Sequence, residues 1–380
     1  MRFIFAPDSF KGSLTAAEVC AALEQAALRH FPGAETRSIP IADGGEGTVE
    51  AILQATGGQR VTIAVTDPLG APVTAQYARL QDGSAVLEMA QASGLPLVGH
   101  RRDPLAASSY GTGEMLRAAL AGGCSAVYLG LGGSATNDGG MGMLTALGAV
   151  FEDAQGRALR GSGAELARVA RVSLNGALET LGALPLTMMS DVTNPLLGET
   201  GATAVYGAQK GADAPTRATL EAGMAQYADA LERAAKRPLR DLPGAGAAGG
   251  MGAALYALGA AMRPGIEAVL DAAGFDAAAR GAALVITGEG RIDGQSVRFG
   301  KAAAGVAKRC AMLGVPLVAL VGGMQEGAEA LYDVTESSIL TTVNAPMSVE
   351  QAMSQAQPLL EGAADRLFRL LKIGRGMGMA

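Results

Sequence analysis

Residues 130–140 read GLGGSATNDGG, and this glycine-dense stretch determines the predicted fold. The residues before it form a short apolar run typical of a buried strand, and residues 141–150 after it have the apolar spacing of a helix. Glycine lets the backbone turn its N–H groups inward, and a helix N-terminus adds partial positive charge. A strand, a glycine loop and a helix start in this order predict an anion cradle in an α/β protein, with phosphate as the expected anion. Hydroxyl, amide and carboxylate side chains are concentrated in the same loop, at Ser134, Thr136, Asn137 and Asp138.

Strand and helix alternate at both ends of the chain, which is the order of a parallel sheet with helices on its faces. Near the start, a strand over residues 2–6 precedes a helix over residues 15–30, where Thr15 and Glu18 form a predicted capping box. The other elements predicted at the two ends are strands at 37–41, 283–287, 316–321 and 338–342, and helices over 48–56, from 301 onward and over 349–371.

The middle of the chain follows a different pattern. Residues 60–90 alternate apolar and polar positions with turn sequences between them, which predicts an antiparallel meander. A further hairpin is expected at 149–159. With 380 residues, two domains are the default expectation. We therefore predict a doubly wound, Rossmann-like α/β domain built from residues 1–60 and 280–380, and an inserted mixed α/β domain of residues 61–279.

Composition excludes several functional classes. Hydrophobic residues make up 49% of the chain and charged residues 17%, which is enough for a sizeable core and unlike a disordered protein. The net charge is −6 and no run of Lys or Arg occurs, so nucleic acid and membrane partners are not expected. The three cysteines are far apart, and neither a signal peptide nor a long apolar run is found. A cytoplasmic enzyme with buried thiols is the expectation.

Four further polar loops follow predicted strands, at the strand ends where α/β proteins bind ligands. A lysine suits phosphate, and a carboxylate suits a metal ion or a hydroxyl group. Taken alone, the loop at 7–13 favours an ordinary helix-capping loop, and the loop at 43–47 could be a bare turn. The loop at 189–195 is explained equally well by a turn rich in Asp and Asn. The loop at 287–294 favours function, because an Arg and two acids among glycines are costly in a passive loop. The candidate residues of these loops are Asp8, Ser9, Lys11, Asp43, Asp191, Asn194, Gly288, Glu289, Arg291 and Asp293.

The chain lacks the residues of several other chemistries. Its two histidines, His30 and His100, lie outside these loops, so Ser-His-Asp hydrolysis and His-ligated zinc are poorly supported. No P-loop sequence occurs. Residues 244–249 match G-x-G-x-x-G, but no clean strand precedes them, and they are expected to open a helix over 250–262. Acidic loops, glycine turns and a few cations without redox groups fit phosphoryl transfer, which needs alignment and charge neutralisation.

Five motifs of the chain resemble those of the type 1 glycerate kinase family. They are DSFKGS at 8–13, ADGGEG at 42–47, GGSATNDGG at 132–140, SDVTNP at 190–195 and TGEG at 287–290, in order along nearly the whole chain. The resemblance implies ATP-dependent phosphorylation of D-glycerate, commonly at the 2-hydroxyl to give 2-phosphoglycerate, with Mg²⁺. It also implies a two-domain α/β architecture of the family's own kind.

Roles for single residues are hypotheses from loop position. Asp191 is the first choice for contacting the reacting hydroxyl group and Asp293 the second, while Lys11 and Arg291 would neutralise phosphate or the glycerate carboxylate. The ATP-binding candidates are Gly132, Gly133, Ser134, Thr136, Asn137 and Gly288. The substrate-binding candidates are Asp8, Ser9, Asp43 and Asn194, and the candidate magnesium ligands are Asp138 and Glu289, with Asp43 as a further one.

Three alternatives stay open at this stage. Phosphorylation at the 3-hydroxyl would make the chain a glycerate 3-kinase. The βα order and the glycine match at 244–249 would suit a nicotinamide-dependent hydroxyacid oxidoreductase, although the missing His acid–base argues against it. A sugar-acid sensor would bind its ligand without turnover. The expected partner is a small-molecule substrate, D-glycerate, and a homodimer is also considered.

Overall fold

A computed structural model of the protein describes residues 1–42, 45, 47–298 and 302–377. The strands within these residues are β1 (Arg2–Pro7), β2 (Glu35–Ser38), β3 (Gln59–Thr66), β4 (Pro72–Arg79), β5 (Ala85–Glu88), β6 (Val127–Gly130), β7 (Val150–Glu152), β8 (Arg171–Ser173), β9 (Leu186–Met189), β10 (Ala261–Arg263), β11 (Leu284–Gly288), β12 (Arg291–Ile292), β13 (Leu317–Val321), β14 (Gly323–Met324) and β15 (Ser337–Thr341).

The α-helices of the same residues connect these strands. They are α1 (Ala16–His30), α2 (Thr48–Thr56), α3 (Ala90–Ser93), α4 (Leu95–Val98), α5 (Tyr110–Ala121), α6 (Met141–Ala146), α7 (Asn175–Leu181), α8 (Ala202–Tyr206), α9 (Ala214–Ala235), α10 (Ala247–Ala257), α11 (Gly265–Ala272), α12 (Phe275–Ala279), α13 (Gly294–Arg298), α14 (Ala302–Leu313), α15 (Val349–Ser354) and α16 (Ala356–Gly376). Short 3₁₀-helices occur at Gly163–Arg168, Ala208–Lys210 and Ala328–Asp333. No described helix combines the length and the apolar character that crossing a bilayer requires.

The chain divides into two compact units. Unit 1 comprises Met1–Asp43, Glu50–Gly57 and Ile266–Ala380, and unit 2 comprises Gly44–Val49 and Gly58–Gly265. Each unit contains its own multistranded sheet.

The sheet of unit 1 is parallel, with the strand order β15-β13-β11-β1-β2. Its central strands are apolar on both faces, as expected for a parallel sheet covered by helices. On one face, α1 and α16 pack over Phe3 and Phe5, where Phe368 contacts both rings edge-on at centroid distances of 5.3 and 6.4 Å. Helix α14 packs against β1, β11 and β13. The sheet is therefore held between helices, and its strand ends are free to carry polar loops.

The strand order of unit 1 reverses at β1. The chain passes from β1 to β2 on one side, whereas β11, β13 and β15 extend the sheet on the other side. In open α/β sheets, ligands bind outside the carboxyl ends of the strands at such a reversal. The loops that follow β1 and β11 flank this point in unit 1.

The sheet of unit 2 is mixed, with the strand order β10-β9-β6-β5-β4-β3. Strands β3, β4 and β5 form an antiparallel meander, and β5, β6, β9 and β10 run parallel. Gly130 at the end of β6 lies beside Met189 at the end of β9. The loops after these two neighbouring strands therefore leave the sheet at the same edge.

Several predicted elements are confirmed, because their signals are local. The meander forms as predicted within residues 60–90. Helix α1 begins after Thr15, whose hydroxyl accepts a hydrogen bond from the Glu18 N–H in the predicted capping box. The strands near 284, 317 and 337 and helix α2 are present, whereas the strand predicted at 37–41 is β2, at Glu35–Ser38.

Other predicted bounds are wrong. The helix expected over 141–150 ends at Ala146, before Gly148 with its φ of +105°. The hairpin expected at 149–159 is present as a short turn: Glu152 and Ala158 form an antiparallel bridge, and the Leu159 N–H donates to the Phe151 carbonyl at 2.9 Å. Strand β7 also pairs with β8, which was not predicted. The helix expected over 250–262 ends at Ala257, and β10 follows. The helix predicted over 349–371 is divided into α15 and α16, and the predicted helix start at Lys301 lies outside the described residues.

Candidate functional site

A cavity of about 580 Å³ lies in unit 1 at the carboxyl edge of its parallel sheet. Its walls come from the segments that follow β1, β11, β13 and β15. Six of the residues selected from the sequence line it together: Asp8, Ser9, Lys11, Glu289, Arg291 and Asp293. Two of the five predicted loops therefore line the same cavity.

The loop after β1 places Asp8 and Lys11 on one side of the cavity. The Asp8 N–H donates to the carbonyl of Gly288 at 2.8 Å and continues the pairing of β1 with β11. The Asp8 carboxylate is mostly buried and accepts the Ser9 N–H at 2.6 Å. Beyond it, Phe10 and Leu14 form a bridge that closes the loop, and Lys11 is exposed within it. The pairing thus places the residues Asp8 and Lys11 together at one strand end.

The loop after β11 forms the opposite side of the cavity. The Gly322 N–H donates to the carbonyl of Glu289 at 3.1 Å, and an added Cβ at Gly322 would lie 2.4 Å from the Gly290 carbonyl oxygen. Gly322 therefore permits the close approach that holds Glu289 and Arg291 in place. Gly288, predicted to bind ATP, is a buried strand residue whose added Cβ would lie 2.2 Å from the Leu320 carbonyl oxygen. Close packing within the sheet therefore explains why residue 288 is a glycine, without a contact to ATP.

Asp293 serves as the N-terminal cap of the short helix α13. Its carboxylate accepts the Ser296 N–H at 2.7 Å, and this backbone hydrogen bond holds the pKa of Asp293 below its ordinary value. A carboxylate that is held ionised by a helix cap is a weak proton acceptor. The geometry therefore argues against Asp293 as the group that accepts the substrate proton, although its side chain lines the cavity.

The cavity combines two cations, Lys11 and Arg291, with three carboxylates. Cations of this kind bind phosphate or carboxylate oxygens, and carboxylates hold Mg²⁺. Within the described residues no group of three or more His, Cys, Asp or Glu side chains is arranged for a metal ion. Mg²⁺ in kinases takes only one or two carboxylates and completes its shell with phosphate oxygens and water. Asp8 and Glu289 fit that smaller requirement.

The loop at 130–140 belongs to unit 2, and most of it faces inward. Asp138 is fully buried. One carboxylate oxygen accepts the N–H and the hydroxyl of Ser109, each at 2.7 Å, and the Gly142 N–H at 3.2 Å. The other accepts the Gly140 N–H at 3.1 Å. Burial raises the pKa of Asp138, and the Ser109 and glycine hydrogen bonds oppose that rise.

These contacts do not fit the predicted magnesium role of Asp138. Its oxygens are occupied by donors of the chain itself, including the N–H groups that open helix α6. The predicted anion cradle exists, but its anion is an internal carboxylate. Helix α6 is also only 6 residues long, so it supplies little dipole for an outside phosphate.

Lys210 is a buried lysine behind the same loop, and it is not among the residues selected from the sequence. Its side-chain nitrogen donates to the carbonyl oxygen of Thr136 at 2.7 Å, and the residue is only 1% exposed. Burial lowers the pKa of Lys210 to about 7, and the nearby Asp138 charge opposes the shift. A signal was present in the sequence, because Lys210 lies between two glycines in GAQKGA at 207–212.

Thr136 and Asn137 are likewise fully buried, so the structure gives no support to direct ATP contacts by their side chains. The Asn137 amide donates to the Thr203 hydroxyl at 3.1 Å. The exposed part of the loop is smaller than predicted: Gly133 is exposed, Gly132 is half-buried and Ser134 is 7% exposed. Only this part can meet a ligand from solvent.

Of the motif at 43–47, Gly45 lies against the exposed part of this glycine loop. A Cβ added to Gly132 would lie 2.8 Å from the Cα of Gly45, so the two backbones touch. Asp43, a predicted substrate ligand, lies outside the described residues, as do Gly44 and Glu46. Within the described residues, the contact between Gly45 and Gly132 is therefore the observation that bears on this motif.

Asp191 and Asn194 follow β9, the strand beside β6. Asp191 is half-buried, and its carboxylate accepts the Gly265 N–H at 2.9 Å. Asn194 donates to the Thr200 carbonyl at 2.8 Å and accepts the Tyr206 hydroxyl at 2.8 Å, so both ends of its amide hold the local loop. These bonds favour a structural role for Asn194 over the predicted substrate contact.

Residues 244–249, which match G-x-G-x-x-G, do not form a dinucleotide site. The element before them is helix α9 and not a strand, and the segment opens helix α10 as predicted. An added Cβ at Gly249 would lie 2.1 Å from the Thr136 carbonyl oxygen. The glycines therefore allow α10 to pack against the 130–140 loop.

Sequence reasoning also missed one wall of the unit 1 cavity. Met347, Ser348, Val349, Ala352 and Met353 line it from α15 and the preceding turn. These residues have no polar-loop signature, and helical spacing alone does not separate such a wall from ordinary core packing.

Comparisons with known proteins cover the chain from end to end. The family model described as Glycerate kinase family matches residues 3–372. A protein of Bacillus subtilis (strain 168) named glycerate kinase is 42% identical over 99% of each chain. A protein of Escherichia coli K12 named glycerate 2-kinase is 40% identical over 98% of this chain and 99% of its own. A crystal structure described as glycerate kinase 2 from Salmonella typhimurium LT2 superposes with a TM-score of 0.88 at 42% identity, covering 99% of both chains.

Proposed function

The chain belongs to the glycerate kinase family and is a phosphotransferase of two-domain α/β architecture, and on this premise we propose that it transfers the γ-phosphoryl group of ATP to the 2-hydroxyl of D-glycerate. The products are 2-phosphoglycerate and ADP. The observation that carries the proposal is the similarity over the whole chain to relatives named glycerate kinase. The choice of the 2-hydroxyl rests on the Escherichia coli relative, which is named glycerate 2-kinase.

A direct assay tests this activity. Purified protein is incubated with ATP, Mg²⁺ and D-glycerate, and phosphorus NMR resolves the 2- and 3-phosphoglycerate isomers. The expected product is 2-phosphoglycerate, formed in step with ADP. Reactions without D-glycerate, and with L-glycerate in its place, serve as controls. A product phosphorylated at the 3-hydroxyl would contradict the proposed position, and ATP consumption that does not depend on glycerate would contradict the activity.

The chain's own residues can supply charge neutralisation and alignment, which are the main requirements of phosphoryl transfer. Lys11 and Arg291 would neutralise phosphate oxygens, while Asp8 and Glu289 would hold Mg²⁺. When bound, Mg²⁺ offsets the charge of the phosphate oxygens. We also propose that the two compact units correspond to the two domains of the family.

Asp191 remains the residue we propose for the proton of the reacting hydroxyl. Its carboxylate is oriented by the Gly265 N–H and is half-buried at a strand end. We expect Asp191→Asn to lower kcat by about 10²- to 10⁴-fold, because an amide cannot accept the proton. Steady-state kinetics measure the change, and circular dichroism checks the fold. Asp82→Asn, at an exposed turn of the same unit, is the matched control with unchanged kcat. An Asp191→Asn enzyme within twofold of the wild-type rate would remove this assignment.

A further inference from the structure

We propose that the unit 1 cavity is the nucleotide site, with the base against an apolar wall formed by Met347, Val349 and Met353 and the phosphates toward Lys11 and Arg291. The inference rests on the proposed function, which requires a nucleoside triphosphate but does not say which unit binds it. ATP would then bind in this cavity and not at the buried part of the 130–140 loop.

Position in the fold is the first support. The cavity lies where the strand order of unit 1 reverses, between the loops after β1 and β11. Doubly wound sheets bind mononucleotides at such a point, because adjacent loops diverge there and leave a crevice. The loops at 130–140 and 189–195 of unit 2 do not line this cavity.

Size and chemistry are the second support. A volume of about 580 Å³ lies within the range of roughly 300–1,000 Å³ that accommodates larger organic ligands. A three-carbon acid would fill a small part of it and would leave the apolar wall uncovered. A nucleotide has at one end a planar aromatic base, whose ring faces are apolar, and at the other end a polyanion. These two ends match the apolar wall and the cations of the lining.

The apolar wall is unusually exposed for its composition. Val349 is 76% exposed and Met353 is 42% exposed, one helical turn apart on α15. A capping box at Ser348 and Gln351 fixes the start of this helix. Residues spaced four apart share a helix face, so the two side chains offer one continuous apolar surface. A bound base would remove that surface from water.

The apolar wall adjoins the charged loop. An added Cβ at Gly12 would lie 2.8 Å from the terminal methyl carbon of Met353, so this side chain touches the loop that carries Lys11. The same cavity also holds carboxylates, namely Asp8, Glu289 and Asp293. Because these acids would repel a bare polyphosphate, the site should prefer a nucleotide whose charge is reduced by Mg²⁺.

Equilibrium binding of ADP to the full-length protein tests the proposal without relying on turnover. Isothermal titration is performed with Mg²⁺ and with EDTA, on the wild type and on four single variants. Val349→Ser and Met353→Ser reduce the apolar wall, Lys11→Gln removes a phosphate contact, and Met312→Ser is the matched control. Met312 is 77% exposed on α14 in the same unit and does not line the cavity.

We expect each wall variant to raise the Kd for ADP about fivefold and Lys11→Gln to raise it about tenfold. Met312→Ser should bind as the wild type does, and EDTA should weaken binding in every case. Wild-type affinity in both wall variants would overturn the base position. Wild-type affinity in Lys11→Gln would overturn the phosphate position, and absence of ADP binding to the wild type would overturn the site.

The outcomes separate this inference from the proposed function. A wild-type protein that phosphorylates D-glycerate, while the wall variants and Lys11→Gln all bind ADP with wild-type affinity, would keep the function and reject both the base position and the phosphate position in this cavity. A protein that binds ADP with the expected variant pattern but does not phosphorylate D-glycerate would keep the site and reject the function. In active variants, the KM for ATP should rise in parallel with the Kd for ADP. The KM for D-glycerate should stay within twofold of the wild-type value.

Discussion

At the residue scale, the polar side chains of the 130–140 loop face inward. Asp138 accepts four hydrogen bonds, and Lys210 reaches the Thr136 carbonyl from behind. The sequence shows which polar groups the loop contains, but their direction depends on contacts with segments far away in the chain. Lys210 is 74 residues from Thr136, so no local pattern could assign the pair.

The pKa of Lys210 leads to a pH-dependent stability. The folded-state pKa is about 7, against an ordinary value of 10.5. Between these values the unfolded chain binds a proton at Lys210 that the folded chain does not bind, so unfolding becomes less favourable as the pH rises. We expect the free energy of unfolding of the wild type to increase relative to Lys210→Met from pH 7 to pH 10. The slope of the difference is at most about 1.4 kcal/mol per pH unit.

Urea unfolding at intervals across this pH range measures the difference. Lys308→Met removes an exposed lysine of α14 and serves as the control, which should follow the wild-type pH dependence. A constant difference between the wild type and Lys210→Met over the whole range would contradict the lowered pKa.

At the element scale, local signals were sufficient for the capping box of α1 and for the meander of β3, β4 and β5, because neighbouring residues produce both structures. Strand β10 was missed because its three residues follow a helix of similar apolar composition and pair only with the distant β9. In the same way, the sequence predicts the cavity residues of the loops at 7–13 and 287–294, but it does not predict the apolar wall on α15. Packing between distant segments therefore could not be predicted from local sequence patterns.

Glycines of α10 are required where this helix meets the 130–140 loop. Gly249 has a φ of +69°, and an added Cβ would lie 2.1 Å from the Thr136 carbonyl oxygen. We expect Gly249→Ala to lower the free energy of unfolding by about 2–4 kcal/mol, from backbone strain and overpacking together. Gly259 has a φ of +85° but open space around it, so Gly259→Ala isolates the backbone effect, about 1 kcal/mol.

Chemical denaturation of the two glycine variants gives the comparison directly. If Gly249→Ala and Gly259→Ala lowered the free energy of unfolding equally, the contact with Thr136 would carry no energetic cost. A larger loss at Gly249 is the expected result, because a backbone carbonyl cannot rotate away as a flexible side chain can.

At the scale of the whole molecule, the two units differ in how the chain builds them. Unit 1 needs both chain ends, because β1 pairs with β11 and α1 packs against α16. Every strand of the six-stranded sheet of unit 2 lies between Gln59 and Arg263. The sequence predicted that two distant segments form one sheet because strand and helix alternate at both ends, although it could not give the register.

This difference predicts how fragments of the chain behave. A fragment of residues 44–265 contains the complete sheet and core cluster of unit 2, so we expect it to fold alone and to unfold cooperatively in urea. A fragment of residues 1–57 retains β1 and β2 but loses β11, β13 and β15, and it should stay unfolded because β1 then has a partner on one side only. Far-ultraviolet circular dichroism and urea titration distinguish the two cases. A broad, non-cooperative transition of the larger fragment, with binding of a hydrophobic dye, would mean that unit 2 depends on the rest of the chain for its packing.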